Sequence, residues 1–496
     1  MRPFAGGAAV AVVEVAESGV PILQTPVVLP KRQRNSVPAR GKLAMPKLKM
    51  IVLLVLAFFV DSRGRADEFE SKAVEFVKNL GGTVTRDENA PGKPVLEVNL
   101  RGKEMTDAGL REIVGLQSLT KLTLWGTKVT DVGLKELSYF KNLKTVDLRS
   151  TKMTNEGLKD LSKISSLTTV RLGGDGLREL KAADSKHLTA LKKLTFLDMQ
   201  NVYMSDTGLK ELCACKTLTT LKFNTAKMTD AGLKELANFK NVTSLSLGGQ
   251  YVADALPTEL VKMKSLTTLT LAWTTNYGKF AGLDKSKTLT SISIRNGSVS
   301  DENLKEFATI SRLTSLELMS GFEATDRNLK EIAKNKNLTR LRLHNVRATS
   351  AGLREIAYLK KLTSLSLWDN TYKTGDLQQL APLENLVTLE VFGAQIFEVE
   401  LKYLTPFKKL TTLNIDIQVK DTGIKDLAYL KDLKSLRLGK LELTDTGLKE
   451  LAGFKSLTAL SLWSWPDSSE MGKLSEVLPK DCKILQATST VEDHSD

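Results

Sequence analysis

At 496 residues, 42% hydrophobic and 26% charged, the chain is long enough to bury a large core and too apolar to be disordered throughout. Its formal charge is +14, but residues 1–66 supply half of that, with ten Lys/Arg against three Asp/Glu, and the remaining +7 is spread over the rest. So thin an excess argues against a nucleic-acid footprint, and three cysteines (Cys213, Cys215 and Cys482) are too few for a disulfide scaffold.

Residues 1–44 sustain no helical or strand period and are expected to be disordered. Met45-Pro46-Lys47-Leu48-Lys49 then precedes the apolar run Met50 to Val60, and Gly64-Arg65-Ala66 places small residues before Asp67. That is the layout of a secretory signal peptide over 45–66, too short to make a stable membrane span. It predicts a translation start at Met45, with 1–44 an over-extended gene start. Between 67 and 94, Phe69, Ala73, Phe76, Val77 and Leu80 recur at helical spacing, and Gly81-Gly82 closes the pattern. A stacked array needs an end cover, so this helix and the Pro91 and Pro94 loop are expected to form the N-terminal cap.

From Val95 the chain repeats itself. Leu119, Leu122 and Leu124 form L-x-x-L-x-L, followed by Val129, Thr130-Asp131, Gly133-Leu134 and Leu137. The first apolar position recurs 16 times, ending at Leu457, at steps of 23 to 25 residues except for one of 27 between Leu167 and Leu194. A fixed period of this size marks a stacked-repeat architecture. L-x-x-L-x-L alternates as a half-buried strand does, Thr-Asp supplies N-cap oxygens, and GLKEL puts Leu134 and Leu137 on one helical face with Lys135 and Glu136 outward. The end of the chain carries a helix from Ser468 to Leu478 and Cys482-Lys-Ile-Leu, expected as a C-terminal cap over 466–486, with 487–496 a disordered tail.

The pattern L-x-x-L-x-L…[VM]-T-D-x-G-L-x-x-L over 95–465 resembles the leucine-rich repeat family, in the subclass of ribonuclease-inhibitor-like folds and F-box adaptors. With the signal-like segment it resembles the exported repeat proteins of some bacteria. The resemblance implies an α/β solenoid: a curved horseshoe of about 16 strand-turn-helix units, parallel sheet on the concave face and helices on the convex face. One departure stands out. Such repeats usually hold Asn or Cys at the third residue after L-x-L, where this chain has Lys103, Thr127, Thr151, Asp175, Val202 and Ala226, and only Asn370 fits. The turns must therefore be held another way, in part by threonines. Three units are irregular, over 172–194, 272–288 and 392–404, and these are read either as local bulges or as ligand-contacting segments.

No catalytic or metal motif is found. His187, His344 and His494 lie far apart, and Gly173-Gly174-Asp175-Gly176 lacks the Lys of a phosphate cradle. Cys213 and Cys215 fall at core-facing positions and are expected to be buried thiols. What remains is the concave face, whose residues can be read from the two-residue alternation of each strand. Most positions hold Thr, Ser, Asn or Gly. Four successive units differ, carrying Glu317 and Met319, Arg340, Arg342 and His344, Trp368, and Glu390 and Phe392; Trp125 and Trp463 share their column near either end. These eight residues are the candidate partner-binding patch, with cross-strand stabilisation of the sheet as the competing reading.

The expected function is that of a non-enzymatic, exported binding protein (periplasmic, cell-surface or secreted). It would recognise a protein, or a cell-envelope polymer, through its concave face, as a monomer, with no cofactor and no nucleic acid. The alternative is a cytoplasmic adaptor like the F-box substrate receptors of ubiquitin ligases, although no F-box-like segment precedes Val95.

Overall fold

The computed structural model describes residues 13–15, 21–23 and 68–487, apart from 250, 253–254, 273–275, 278–279, 298, 320, 369–374 and 394–396. The chain divides into two units, 1–65 and 66–496. In the first, Val13–Val15 pairs antiparallel with Pro21–Leu23, a pairing not anticipated for the segment 1–44. The expected signal segment, the tail beyond 487 and Asn370 lie outside the described residues.

The second unit opens with a helix over 68–79, which buries Ala73 and Val77 and leaves Phe69 exposed. Gly81 takes a left-handed φ of 73°, and the Gly82 N–H donates to the Val77 carbonyl at 2.9 Å, so the helix ends in a glycine cap that satisfies an orphan carbonyl. Thr83–Arg86 then forms a strand that pairs antiparallel with Val95–Asn99, covering the first edge of the sheet. The loop reading of this stretch missed that strand because its four residues carry no apolar alternation.

Every later repeat strand joins its predecessor in parallel, giving a sheet of 19 strands that stays open, with Thr83–Arg86 at one end and Lys483–Gln486 at the other. The last strand belongs to the C-terminal cap: after the helix Ser468–Val477, whose Asp467 and Glu470 cap each other's backbone, Lys483–Gln486 pairs with Ala459–Leu462. The first, fourth and sixth positions of each unit line one continuous core, as Leu119, Leu122 and Leu124 do at 0% exposure. Burying a leucine is worth about 2 kcal/mol, and no repeat could bury its leucines without a neighbour.

Two ladders replace the missing asparagines. At the strand entrance the Thr of each Leu-Thr donates its hydroxyl to a backbone carbonyl one unit earlier, as Thr219 does to Thr195 and Thr243 to Thr219. The second ladder runs through the Thr-Asp motif, and it corrects the expectation that both residues cap their own helix. Thr130 does cap, accepting from the Val132 N–H at 3.2 Å. Asp107, however, reaches into the next unit, where it accepts from the Thr130 N–H at 2.8 Å and the Thr130 hydroxyl at 2.6 Å. Asp131 and Thr154, Asp206 and Thr229, Asp326 and Thr349, and Asp421 and Thr444 repeat that bond pair. The Thr hydroxyl donates backwards to Asp and accepts from its own helix, so each helix start is tied to the one before. Bonds from the Thr444 hydroxyl and backbone hold the Asp421 carboxyl below its ordinary pKa, so what this group adds to stability is present above the carboxylate range and lost as pH falls through it.

The glycine of T-D-x-G-L makes room for the ladder. A Cβ on Gly133 would sit 3.1 Å from Asp107 Cα and 2.9 Å from Leu110, and Gly157, Gly232, Gly352 and Gly447 face the preceding Asp in the same way. In the irregular thirteenth unit Glu398 takes over this role, accepting from the Lys420 N–H, the Thr422 hydroxyl and the Gly423 N–H. In the fourth unit Gly174, at φ 157°, lies against the backbone of Ser150 and Thr151, so the glycines there serve close packing.

Candidate binding surface

Three columns of side chains face the concave side, one from each of the third, fifth and seventh positions of the repeat. The fifth position reads Asp147, Arg171, Asp198, Lys222, then Ser246, Thr270, Ser293, then Glu317, Arg342, Ser366, Glu390, Asn414, Arg437. The charges alternate in sign in two groups, separated by three small neutral residues.

The candidate patch is the second group, and the structure brings its members together. Arg342 lies 3.4 Å from Glu317 on one side and 3.5 Å from Glu390 on the other, reaching the latter across the small Ser366. Glu317 also pairs with Arg295 at 3.5 Å and accepts from Ser293, while Glu390 accepts from Ser366 and Asn414. In the seventh column His344 stacks on Trp368 at 5.1 Å and 4°, and Trp368 meets Phe392 at 4.2 Å. Arg437 lies over both Phe392 and Trp463. Met319 is half-buried beside Arg295, and Arg340 is exposed in the third column, in register with Ser315 and Ser364.

This geometry changes how the patch can be used. Phe392 and His344 are each only 7% exposed, and Glu317 and Glu390 are mostly covered. Curvature crowds the inner side chains until each ring is roofed by its neighbour. The accessible members are Arg340, the free edge of Trp368 and the outer atoms of Arg342.

The first group, outside the candidate patch, is visible in the sequence only as the alternate residues of units three to six. Asp147 holds Arg149 through bonds of 2.6 to 3.2 Å, and Lys222 sits 3.8 Å from Asp198. Burial opposes the Arg149 charge, but bonding and charge from Asp147 outweigh it and raise the pKa. Lys222 is lowered, first by burial and then, against the pull of Asp198, by Arg171, Arg295 and Arg149. Arg101 and Arg149 lie over Trp125, with guanidinium carbons 3.6 and 4.3 Å from the ring centre, and Arg171 and Lys222 both lie 5.3 Å from Phe196.

The chain matches no protein-family model and no curated protein. Among solved structures it is similar to a leucine-rich repeat protein of Leptospira interrogans, at 22% identity, 75% coverage of this chain and 91% of that one, and a TM-score of 0.46. It is also similar to an internalin of Listeria monocytogenes, at 18% identity, 80% and 94% coverage, and a TM-score of 0.39. The fold is a leucine-rich repeat solenoid.

Elsewhere on the solenoid, among the described residues, no group of three His, Cys, Asp or Glu is placed to hold a metal ion. No described helix is long and apolar enough to cross a membrane. Cys213 and Cys215 are buried free thiols, and burial, helped by Glu235, pushes Cys213 up to about 12. The unfolded thiol ionises first, so this group's contribution to stability is full below about pH 9 and is lost as pH rises towards 12. At pH 8.5 iodoacetamide should label Cys482 well before Cys213 in the folded protein and all three alike in denaturant. Equal labelling of Cys213 and Cys482 in the native state would contradict the buried placement.

Proposed function

We propose that this is an exported, non-enzymatic binding protein that holds a protein partner, or a cell-envelope polymer, against its concave face. The observation that carries the reading is the concave sheet itself. Its charged and aromatic side chains are held in place by neighbours across strands, so little conformational entropy is lost when a partner docks. The strands stack about 4.8 Å apart, giving an inner face roughly 75 Å long along the repeats. The candidate residues Glu317, Met319, Arg340, Arg342, His344, Trp368, Glu390 and Phe392 then divide in role. Arg340 and the edge of Trp368 touch the partner, and the others fix their positions.

Two measurements test this. Cell fractionation with mass spectrometry of the mature N-terminus should find a chain beginning near Asp67 outside the cytoplasm; a cytoplasmic chain that retains Met1 would favour the adaptor role. A photo-crosslinking residue placed at Arg340 or Thr388 on the concave face should capture one defined partner, and the same residue at Lys159 on the convex helices should not. Equal capture from both sides would refute concave recognition.

A further inference from the structure

The two edges of the sheet differ in how their charges are placed. At the edge where strands run out towards helices, cations stand beside carboxylates: Lys128 with Glu104, Lys227 with Glu179, Arg347 with Glu323 and Lys440 with Glu442. At the other edge, helices turn back into strands. There the position two residues before each repeat's first apolar residue is lysine in twelve of the sixteen units, and Glu384 is its only acid. Lys93 pairs with Glu88, but the eleven lysines from Lys141 to Lys455 are exposed and stand in no ion pair among the described residues. Lys192, Lys216, Lys240, Lys264 and Lys287 come from five successive units, so they follow one another at steps of about 4.8 Å.

Stability does not call for this row. Like charges so close repel one another, and the preference for a cation at a helix C-terminus accounts for only part of it. Lys192, Lys216 and Lys240 do donate to the Thr189, Cys213 and Ala237 carbonyls at 2.7 to 2.9 Å, which leaves each two further N–H donors. Lys264, Lys287, Lys431 and Lys455 make no side-chain hydrogen bond among the described residues. A second, independent feature lies in the same turns. Tyr139, Tyr358 and Tyr429, each two residues ahead of a row lysine, are 55 to 58% exposed. Lys336 lies 5.3 Å from the Tyr358 ring and Lys408 5.4 Å from that of Tyr429, so rings and ammonium groups stand side by side along the edge. Beside Tyr358 the edge opens into a cleft of about 430 Å³, lined in part by Arg354 and Lys360.

We propose that this edge docks the protein onto an anionic lipid bilayer, with its lysines among the headgroup phosphates and its tyrosine rings at headgroup depth. Tyrosine has an apolar body and a polar tip, which suits that interface, and a flexible lysine follows phosphates whose spacing is not fixed. Roughly 60 Å separate Lys141 from Lys455 along the sheet, and a bilayer is a partner that can touch so long an edge at once. A soluble polyanion offers charge but gives the exposed rings no apolar layer to enter. No spanning helix is needed. The concave face borders this edge without lying in it, so it stays open to a partner of its own.

The test uses residues 66–496, the compact unit that holds the whole described core, so that the apolar run Met50 to Val60 cannot itself carry the chain to lipid. It should co-sediment with phosphatidylcholine vesicles carrying about one-third phosphatidylglycerol, less so as salt is raised, and not with phosphatidylcholine alone. Lys264→Gln, Lys287→Gln and Lys455→Gln together should lower partitioning roughly tenfold or more. Circular dichroism should be unchanged, because these side chains hold no neighbour. The same three positions changed to Arg should keep the binding. Lys159→Gln, Lys210→Gln and Lys449→Gln, an equal change of charge on the convex helices, should cost less than about twofold. Tyr358→Ser with Tyr429→Ser should weaken binding by a factor that high salt does not remove. Equal partitioning of the rim variant and its parent, or an equal loss from the convex variant, would overturn the proposal. So would tighter binding of soluble polyphosphate than of vesicles at equal phosphate concentration.

Discussion

Replacing Gly232 by Ala should destabilise the protein by about 3 kcal/mol, read as a lowered denaturant midpoint, although a single methyl group is added on a helix where alanine is intrinsically favoured. The methyl would sit 2.6 Å from Asp206 Cγ and 3.1 Å from its Cα. Asp206 cannot step aside, because its two oxygens accept from the Thr229 N–H at 3.0 Å and the Thr229 hydroxyl at 2.5 Å. Either the carboxylate moves and both bonds are lost, or the two repeats part and the leucines between them lose contact. Asp206→Ala removes the obstruction at the cost of the two bonds, so the double variant should be clearly less destabilised than the two single changes summed, by about 1 kcal/mol or more. Strict additivity, or a Gly232→Ala protein as stable as its parent, would show that the repeats are not held this closely.

Much of this architecture was legible because a repeat states the same physics 16 times. The strand period, the GLKEL face and the Thr caps are local, and a local pattern can be read from one sequence. The role of Asp107 was not legible in that way, since its partner, Thr130, lies in the next unit at the same place in the motif. Within one unit an Asp beside Thr looks like a second cap. The glycine that recurs two residues on in most units was the available signal, because nothing in a helix interior calls for glycine unless something approaches closely. The concave face was half legible. Alternation put Glu317, Arg342 and Trp368 on the right side of the sheet, but their exposure depends on curvature, which no single strand encodes. His344 and Phe392 are therefore buried by their neighbours across strands. Preference for conspicuous residues also hid Asp147, Arg171, Asp198 and Lys222, whose alternating signs only become a pattern once the strands are aligned.

Trp368→Ala should cost about 2 kcal/mol in stability, and that cost decides how the aromatic row is to be interpreted. Trp368 lies between His344 and Phe392, and its indole N–H donates to Ser366 at 2.7 Å, next to the hydroxyl bond from Ser366 to Glu390. Removing it uncovers two rings that are now buried and loosens the carboxylate that Arg342 bridges. A loss of partner binding in this variant would therefore mix docking with damage to the sheet. Arg340 offers the clean comparison: it is exposed, flanked by Ser315 and Ser364, and in no ion pair among the described residues, so Arg340→Ala should leave stability within about 0.5 kcal/mol. If thermal unfolding by circular dichroism ranks the two variants this way and both lose the concave crosslink, the row serves binding as well as packing. If only Trp368→Ala loses it, in proportion to its lost stability, the second charge group is scaffold, and the partner is held elsewhere on the concave face.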